Sequence, residues 1–336
     1  MGAKRIFVNE LKAGLGIDQP FLVAQKDLRT TRGGDFYITL SLADKTGQVA
    51  ARMWQASEAV YNAIPLEGFL QVRGRVEDYK GATQVIVDAC RPLAAEKIAA
   101  DDFLAVTERN VETMWSELLE ILRAVKDRHI RLLIKKFVED RQFVAAFQRS
   151  PASMFLHHPF IGGLLEHTLN LARCCRELLP MYPALNADLV LAGVLFHDMG
   201  KSAELQAGTA VTYTDRGQLV GHITIAAIWL QEKARLLAEE SGEPFPQATL
   251  DLLQHIVLSH HGQHEFGSPK LPMVPEAYFL HYLDNLDAKM FMTVRDITAD
   301  TDPRTSFTGF SKELQTRLYK RSAQGGGGEG GPKLFE

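Results

Sequence analysis

The stretch "LVLAGVLFHDMGK", residues 189–201, decides the fold of the second half of this chain. Eight apolar residues run directly into a histidine and an aspartate, and a lysine follows three residues later. Buried ionisable side chains are costly unless they are paired or bind a metal ion. An apolar helix that ends at His197 and Asp198 therefore needs partners from elsewhere in the chain, and Gly200 lets the backbone turn sharply beyond them.

Histidines and an aspartate in four other segments can provide these partners. They are His167 in "GGLLEHTLN", His222 in "VGHI", His260 and His261 in "LSHHG", and Asp284 in "FLHYLDNLDAK". The separations along the chain are far longer than those of a zinc finger, so the side chains must come from separate helices that converge on one site. Imidazoles and carboxylates without thiolates favour Mn²⁺, Fe²⁺ or similar ions over a closed structural zinc.

Several neighbouring side chains have two interpretations each. Lys201 either meets a phosphate beside the metal ions or acts as a cation at a helix C-terminus. His261 is either a metal ligand or a phosphate contact. His281 lies three residues before Asp284 on the same helix face and is expected beside the ligands or at the surface. Asp287 is one further step along that face, and its alternative interpretation is a helix cap or a surface charge. His157, together with the histidine after it, is expected in a loop with a structural or substrate-contacting role.

The first 92 residues predict a β-barrel. "DFYITLSLAD" (35–44) alternates apolar and polar residues, as a half-buried strand does. The predicted strands lie in "FLVAQKDLRT", "DFYITLSLAD", "QVAARMW", "GFLQVRGRVEDY" and "ATQVIVDAC", with a short helix at 56–64. The resulting order β-β-β-α-β-β is that of a five-stranded OB barrel, a fold that often binds single strands. Arg73 and Arg75 share one strand face, which either follows a nucleic-acid backbone or is simply solvated.

From about residue 100 the periodicity becomes helical, and no further β-rich segment is expected. Val111, Met114, Leu118 and Leu122 recur at three- and four-residue steps. Several packed helices are expected over residues 150–300. The run "GGGGEGG" (325–331) is too rich in glycine to bury a core.

The series His…His-Asp…His…Asp resembles the HD-domain metal-dependent phosphohydrolases over about residues 150–300. The longer strings "HHPFIGGLLEHTLNLA", "LFHDMGK" and "LSHHGQHEFGSPKLPMVPEA", placed behind an OB-like domain, resemble the YhaM-type 3′-to-5′ exoribonucleases. The resemblance implies an α+β protein, in which an N-terminal OB-like five-stranded β-barrel is followed by an all-α HD domain. The expected divisions are an OB domain at 1–92, a helical linker at 93–149, the HD domain at 150–312 and a flexible Gly-rich tail at 313–336.

The resemblance also implies a site with one or two divalent ions, manganese above iron, cobalt or magnesium. His167, His197, Asp198 and Asp284 would hold one ion, and Asp198, His222 and His260, with or without His261, the second. Asp198, Lys201 and His261 would take part in catalysis. Lys201, His261, Arg73 and Arg75 would contact the substrate.

The expected activity is hydrolysis of single-stranded RNA from its 3′ end to nucleoside 5′-monophosphates, with single-stranded DNA as a further substrate. One alternative is a phosphohydrolase of small or cyclic nucleotides that uses the barrel as a sensor. An open strand path to the metals would favour the nuclease, and a closed pocket the nucleotidase. The other alternative is a nucleic-acid-binding regulator, which would not need the complete ligand series.

Composition and charge limit the class of protein and the compartment in which it works. The 336 residues are 46% hydrophobic and 23% charged, with a net charge of −4, so no overall basic signature for nucleic acid is present. Residues 1–92 hold 12 Lys/Arg and 10 Asp/Glu, a net +2, which leaves −6 for the remainder. Three cysteines, two of them adjacent, argue against a disulfide framework and favour the cytoplasm. No membrane span is expected, and the family resemblance allows a homo-oligomer.

Overall fold

The computed structural model describes residues 5–31, 33–66, 68–79, 81–94, 98–99, 102–154, 156–207, 211–300 and 304–320. Within these ranges a closed β-barrel is followed by a helical body. Each unit has its own hydrophobic core, one lined by strands and one by helices. The predicted α+β architecture is therefore confirmed.

Five strands form the barrel in the order β1-β2-β3-β5-β4. They are β1 (Gly16–Thr30), β2 (Phe36–Asp44), β3 (Gly47–Met53), β4 (Phe69–Tyr79) and β5 (Ala82–Leu93), with the helix α1 (Glu58–Ala63) between β3 and β4. The barrel closes through parallel pairing of β3 with β5, whereas every other pair is antiparallel. The apolar residues of the alternating pattern in β2 face the interior of the barrel, where Ile38, Leu40 and Leu42 are buried in its core.

The helical body is built around one central helix. Its first helices are α2 (Val111–Leu122), α3 (Arg128–Val138), α4 (Arg141–Arg149), α5 (Gly163–Leu178) and α6 (Ala187–Phe196). In α6 every residue from Leu189 to Phe196 is buried, which explains why this stretch contains no polar side chain. A Cβ added at Gly193 would lie 2.8 Å from Ile256 Cγ2, so glycine permits the close approach of a neighbouring helix.

The remaining elements complete the body. They are α7 (Lys201–Glu204), β6 (Leu205–Ala207), β7 (Val211–Tyr213), α8 (Asp215–Val220), α9 (His222–Ser241), α10 (Gln247–Ser259), α11 (Pro275–Ala299), β8 (Phe307–Ser311) and β9 (Thr316–Tyr319). Helices α5, α10 and α11 all pack against α6. Each of them therefore presents one of its faces to the end of α6.

Two short hairpins lie in the half of the chain for which the sequence predicts no β-rich segment and an all-α domain. β6 pairs with β7, and β8 pairs with β9, both antiparallel. β9 lies inside the segment 313–336 that the sequence assigned to a flexible tail. Alternation is too short to detect in strands of three to five residues, and contacts with α11 hold β8 and β9 in place. The glycine-rich run at 325–331 lies outside the described residues.

None of the helices in the described part of the chain is both long enough and apolar enough to cross a bilayer.

Candidate metal centre

The predicted ligands sit at the ends or in the middle of five different helices. His197 and Asp198 directly follow α6, as the sequence predicted, and His222 is the first residue of α9. His260 caps the C-terminus of α10. His167 lies inside α5 and Asp284 inside α11. Helices α5, α10 and α11 pack against α6, and α9 packs against α10 and α7, so these side chains meet at the C-terminal end of α6.

Asp198 is the centre of this meeting point. Its Oδ2 lies 3.4 Å from His197 Nε2 and 3.7 Å from His167 Nε2. Its Oδ1 lies 3.4 Å from His222 Nε2 and 3.4 Å from His260 Nε2. The two oxygens of one carboxylate thus face two separate histidine groups, which is the placement expected of a bridging ligand.

Two sets of ligand atoms follow from this division. Atoms of His167, His197, Asp198 and Asp284 lie within 4.8 Å of one another, and so do atoms of Asp198, His222, His260 and His261. The structure therefore brings together all seven side chains of the predicted centre. The ambiguous His261 falls in the second set, with its ring centroid 4.3 Å from that of His260.

Hydrogen bonds from Nδ1 to backbone carbonyls orient three of the five imidazoles in the centre. His197 Nδ1 donates to the Val194 carbonyl at 2.9 Å, and His260 Nδ1 donates to the Val257 carbonyl at 2.7 Å. His261 Nδ1 donates to the Phe266 carbonyl at 2.7 Å. A carbonyl can only accept, so each Nδ1 carries a proton and Nε2 is the ring nitrogen that can bind a cation. Anchoring of this kind is typical of metal-ligating histidines.

Carboxylates anchor the other two imidazoles. His167 Nδ1 contacts Asp287 Oδ2 at 2.7 Å, and His222 Nδ1 contacts Glu204 Oε1 at 3.0 Å. Asp287 also accepts from Asn170 Nδ2 at 3.0 Å, which fixes the carboxylate. The expectation that Asp287 caps a helix or lies at the surface is therefore wrong. One turn beyond Asp284 on α11, it reaches back to His167 because α5 packs alongside.

One observation tests directly whether these ligand atoms suit divalent metal ions. Asp198 Oδ1, His222 Nε2 and His260 Nε2 are buried, yet none has a hydrogen-bond partner among the described residues. Buried polar atoms without a partner are rare, and each requires an explanation. Asp198 Oδ1 lies 3.4 Å from each of the two imidazole nitrogens, and a cation held by the three atoms would explain why they have no other partner. A donor set of imidazoles and carboxylates suits hard and borderline divalent ions.

Electrostatics keep Asp198 ionised. Burial alone would raise the pKa of this carboxyl group, but Lys201 and His197 hold it well below its ordinary value. Lys201 is itself buried, and its Nζ lies 2.6 Å from Asp198 Oδ2. The predicted proximity of Lys201 to the centre is thus observed. Its ammonium group pairs with the same oxygen that faces the first set of histidines.

His167 has an unusual protonation equilibrium. Burial would lower the pKa of its imidazole, but hydrogen bonds to Asp284 and Asp287 raise it to about 10. His167 Nε2 lies 3.2 Å from Asp284 Oδ1. A cation that binds His167 Nε2 must displace the proton held there. By contrast, burial lowers the pKa of His261 to about 3, so this side chain is neutral at physiological pH.

Comparison with known proteins identifies the family. Residues 164–289 match the HD domain family, and residues 23–93 match an OB-fold nucleic acid binding domain family. The 3′-5′ exoribonuclease YhaM of Bacillus subtilis is 35% identical over 294 residues, which cover 87% of this chain and 90% of that protein. The chain belongs to the YhaM family. The YhaM of a Geobacillus species is 38% identical over 293 residues, covering 84% of this chain and 86% of its relative.

In this YhaM-family chain, Gly200 has a different role from the predicted sharp turn. Its φ is −64°, an ordinary helical value. A Cβ at this position would lie 2.1 Å from the His222 carbonyl oxygen. Glycine is therefore required because α9 begins against the backbone that follows Asp198. This close approach places His222 beside Asp198, and no local sequence pattern reveals it.

Three further residues support the ligands, and of these only Glu204 escaped sequence reasoning. Glu204 is buried at the end of α7 and accepts from both the backbone N–H of His222 and its ring. His281 Nδ1 donates to the His260 carbonyl at 2.8 Å, which agrees with the expected position beside the ligands. His158 is buried and contacts Asp287 Oδ2 at 2.9 Å. A glutamate in a short helix, such as Glu204, or a histidine before a proline, such as His158, carries no distinctive signal in the sequence.

The barrel side chains divide into two groups. Arg73 and Arg75 are exposed on β4, and Arg75 pairs with Glu77 and Asp88. A second group combines aromatic and cationic side chains. The rings of Tyr37 and Trp54 have centroids 5.1 Å apart, and the Arg52 guanidinium lies 5.9 Å from the Trp54 ring and 4.8 Å from the Tyr79 ring.

Proposed function

We propose that this chain is a metal-dependent 3′-5′ exoribonuclease that degrades single-stranded RNA, and also single-stranded DNA, to nucleoside 5′-monophosphates. One observation carries the proposal. The two oxygens of the buried Asp198 each face a separate pair of imidazoles, in a chain whose relatives are named 3′-5′ exoribonucleases. Two closely spaced ions bridged by a carboxylate are a recurrent arrangement in phosphodiester hydrolysis.

Two ions would be held by the two ligand sets. The first would bind His167, His197, Asp198 and Asp284, and the second Asp198, His222 and His260 together with His261. Manganese is the ion that we favour, with iron, cobalt and magnesium as the other divalent ions that suit nitrogen and oxygen ligands. When bound, such ions lower the pKa of water and stabilise the negative charge that develops on the phosphoryl oxygens.

The protein's own residues would position the substrate. Lys201 reaches into the centre from the start of α7, so its ammonium group can contact a phosphate that enters there. His261 is neutral and half-buried at the edge of the second set, where it would act as a ligand or as a phosphate contact. These two side chains carry the proposed catalytic assistance beside Asp198.

The barrel would hold the strand whose 3′ end is hydrolysed. Trp54 is 47% exposed and Tyr79 is 44% exposed, so bases can stack on their rings. Arg52 lies between these rings and supplies a positive charge for the backbone. Arg73 and Arg75 remain candidates for further backbone contacts, although the carboxylates beside Arg75 weaken its case.

The division of labour would follow the proposed domains. Residues 1–92 would bind the strand, 93–149 would connect the two parts, and 150–312 would carry the metal centre. Cys90, Cys174 and Cys175 are free thiols, which supports the cytoplasm as the compartment of the enzyme.

A 5′-labelled single-stranded RNA tests this function. We expect a ladder that shortens from the 3′ end with Mn²⁺ and that disappears with chelator or in Asp198→Ala. Asp251→Ala is the matched control, because Asp251 is exposed on α10 and, among the described residues, its carboxylate accepts a hydrogen bond from the Gln247 side chain alone. RNA that stays intact with wild-type protein and Mn²⁺ would refute the proposal, and small and cyclic nucleotides would then be the next substrates to test.

A further inference from the structure

The dipeptide His157-His158 lies beside the first ligand set, in the loop between α4 and α5. The His157 ring centroid is 5.2 Å from that of His167. His158 lies on the Nδ1 side of His167, where both rings contact Asp287 Oδ2. The His157 ring therefore packs directly beside one ligand of the first set.

The loop that carries His157 is held by several hydrogen bonds. Ser153 Oγ accepts from the backbone N–H of Leu156 at 2.9 Å and of His157 at 3.0 Å, and it donates to the His157 carbonyl at 2.8 Å. The next residue, His158, has a φ of +45°, a conformation that is uncommon outside glycine. Backbone strain of this kind persists only where its surroundings enforce it, and it concentrates at functional sites.

Neighbouring backbone groups enforce the positive φ of His158. The His158 carbonyl accepts from the backbone N–H of Ala152 at 3.1 Å and of Phe160 at 2.9 Å. A Cβ at Gly163 would lie 2.1 Å from the same carbonyl oxygen, so the "GG" that begins α5 makes room for it. The segment therefore presents His157 at a defined position, at a cost in backbone strain.

His157 Nε2 is buried and has no hydrogen-bond partner among the described residues. Apart from two atoms of Arg5 in the barrel, every unpartnered buried side-chain atom in the described ranges belongs to the metal centre or to this dipeptide. Structural histidines elsewhere do find partners. His255 Nε2, for example, accepts from the Met273 backbone N–H at 2.9 Å. The absence of a protein partner at His157 thus resembles that of His222 and His260.

His157 nevertheless differs from the ligands in one respect. Within the described ranges, none of the groups whose ligand atoms lie within 4.8 Å of one another includes it. It is therefore too far from the other ligand atoms to share a cation with them in this arrangement. The partner of its Nε2 must come from a molecule that enters the centre.

We propose that His157 is a substrate-contacting residue, whose Nε2–H donates a hydrogen bond to a non-bridging oxygen of the 3′-terminal phosphodiester. This inference rests on the proposed exoribonuclease function. It assigns the phosphate two protein contacts, the ammonium group of Lys201 and the N–H donor of His157. The strained loop then serves to place the second donor.

Three variants test the contact. His157→Leu removes the donor, His157→Gln retains an N–H near the position of Nε2, and Leu156→Ala is the control in the same loop. Leu156 is 44% exposed, and its backbone bonds do not depend on its side chain. Loss of a hydrogen bond to a charged group predicts a single-turnover rate about 10- to 100-fold lower for His157→Leu at saturating RNA. His157→Gln should recover most of the rate, and Mn²⁺ content should be unchanged in all three.

A substrate substitution tests the same contact from the other side. RNA with one phosphorothioate at the 3′-terminal linkage, in each of its two configurations, replaces one non-bridging oxygen by sulfur, a weak hydrogen-bond acceptor. For one configuration the rate difference between wild type and His157→Leu should shrink to a few-fold. This measurement uses ratios between proteins, so effects of sulfur on the metal ions cancel.

The outcomes separate the two proposals. If wild-type protein does not shorten RNA with Mn²⁺, the proposed function is wrong, and the contact with it. If wild type is active and His157→Leu is equally fast, only the contact is wrong. A loss of Mn²⁺ in His157→Leu would make the residue a ligand instead. If His157→Leu misfolds, the smaller donor-free variant His157→Ala takes its place in the phosphorothioate comparison. A ratio between wild type and His157→Ala that stays the same for the phosphate and for both sulfur configurations would overturn the contact.

Discussion

Removal of the Glu204 carboxylate should weaken one ligand set and leave the other intact. Its Oε1 accepts from the His222 backbone N–H at 2.9 Å and lies 3.0 Å from His222 Nδ1. Burial would raise the pKa of this carboxyl group, but the interactions with His222 lower it, so it is ionised at neutral pH. The residue before α9 is Gly221, which has no side chain to cap the helix. Glu204 therefore orients His222 and replaces the missing N-cap.

The size of the effect follows from these two bonds. Glu204→Ala leaves the first N–H of α9 without its acceptor, and loss of a capping side chain costs about 0.5–2 kcal/mol of the free energy of unfolding. It also frees the His222 ring to rotate or change tautomer. Loss of such an outer carboxylate typically lowers metal affinity about 10- to 100-fold, equal to about 1.4–2.8 kcal/mol.

Calorimetric titration with Mn²⁺ measures this effect. We expect wild-type protein to bind two ions and Glu204→Ala to lose affinity at one of them, with a lower melting temperature in chelator. Glu204→Gln is the matched control, because its amide oxygen can accept both bonds without the charge. Equal affinities for Glu204→Ala and wild type would refute the orienting role. Equal losses in Glu204→Ala and Glu204→Gln would show that charge, rather than hydrogen bonding, is the cause.

Three further predictions follow from the geometry. In chelator, the melting temperature should fall as pH rises from about 7 to 10, because the carboxylates beside His167 overcome burial and raise its pKa to about 10. The stability that a raised pKa contributes is complete below the pKa of the unfolded chain, about 6.5, and is lost as pH rises through the pKa of the folded protein. An equal fall with Mn²⁺ bound would contradict this prediction. Gly200→Ala should cost about 1–3 kcal/mol of the free energy of unfolding in denaturant titrations, because its Cβ would lie 2.1 Å from a backbone oxygen. Gly16→Ala, which has open space around it, should be near neutral in the same assay. Trp54→Ala should weaken RNA binding by about 1–3 kcal/mol per stacked base in fluorescence anisotropy while the rate at saturating RNA stays the same, and an unchanged affinity would exclude Trp54 from the binding surface.

Local chemistry in the sequence was sufficient for the outline of the fold. The alternation in β2 predicts a barrel strand, because a pleated strand buries every second side chain. The wholly apolar stretch 189–196 predicts a helix buried on all sides, and α6 is one. Residue type was also sufficient for the composition of the centre, since a histidine and an aspartate at the end of such a helix need buried partners.

Other features depend on how separate elements pack, and the sequence carries no record of that geometry. The assignment of one Asp198 oxygen to each histidine group depends on the rotation of α5, α9 and α10 about α6. The close approach at Gly200 and the bonds from Glu204 to His222 arise because α9 begins beside the chain that follows α6. Asp287 looks like a surface charge in sequence and orients His167 in the structure. A periodic pattern reports which face of an element is buried, but only tertiary packing decides which atoms meet there.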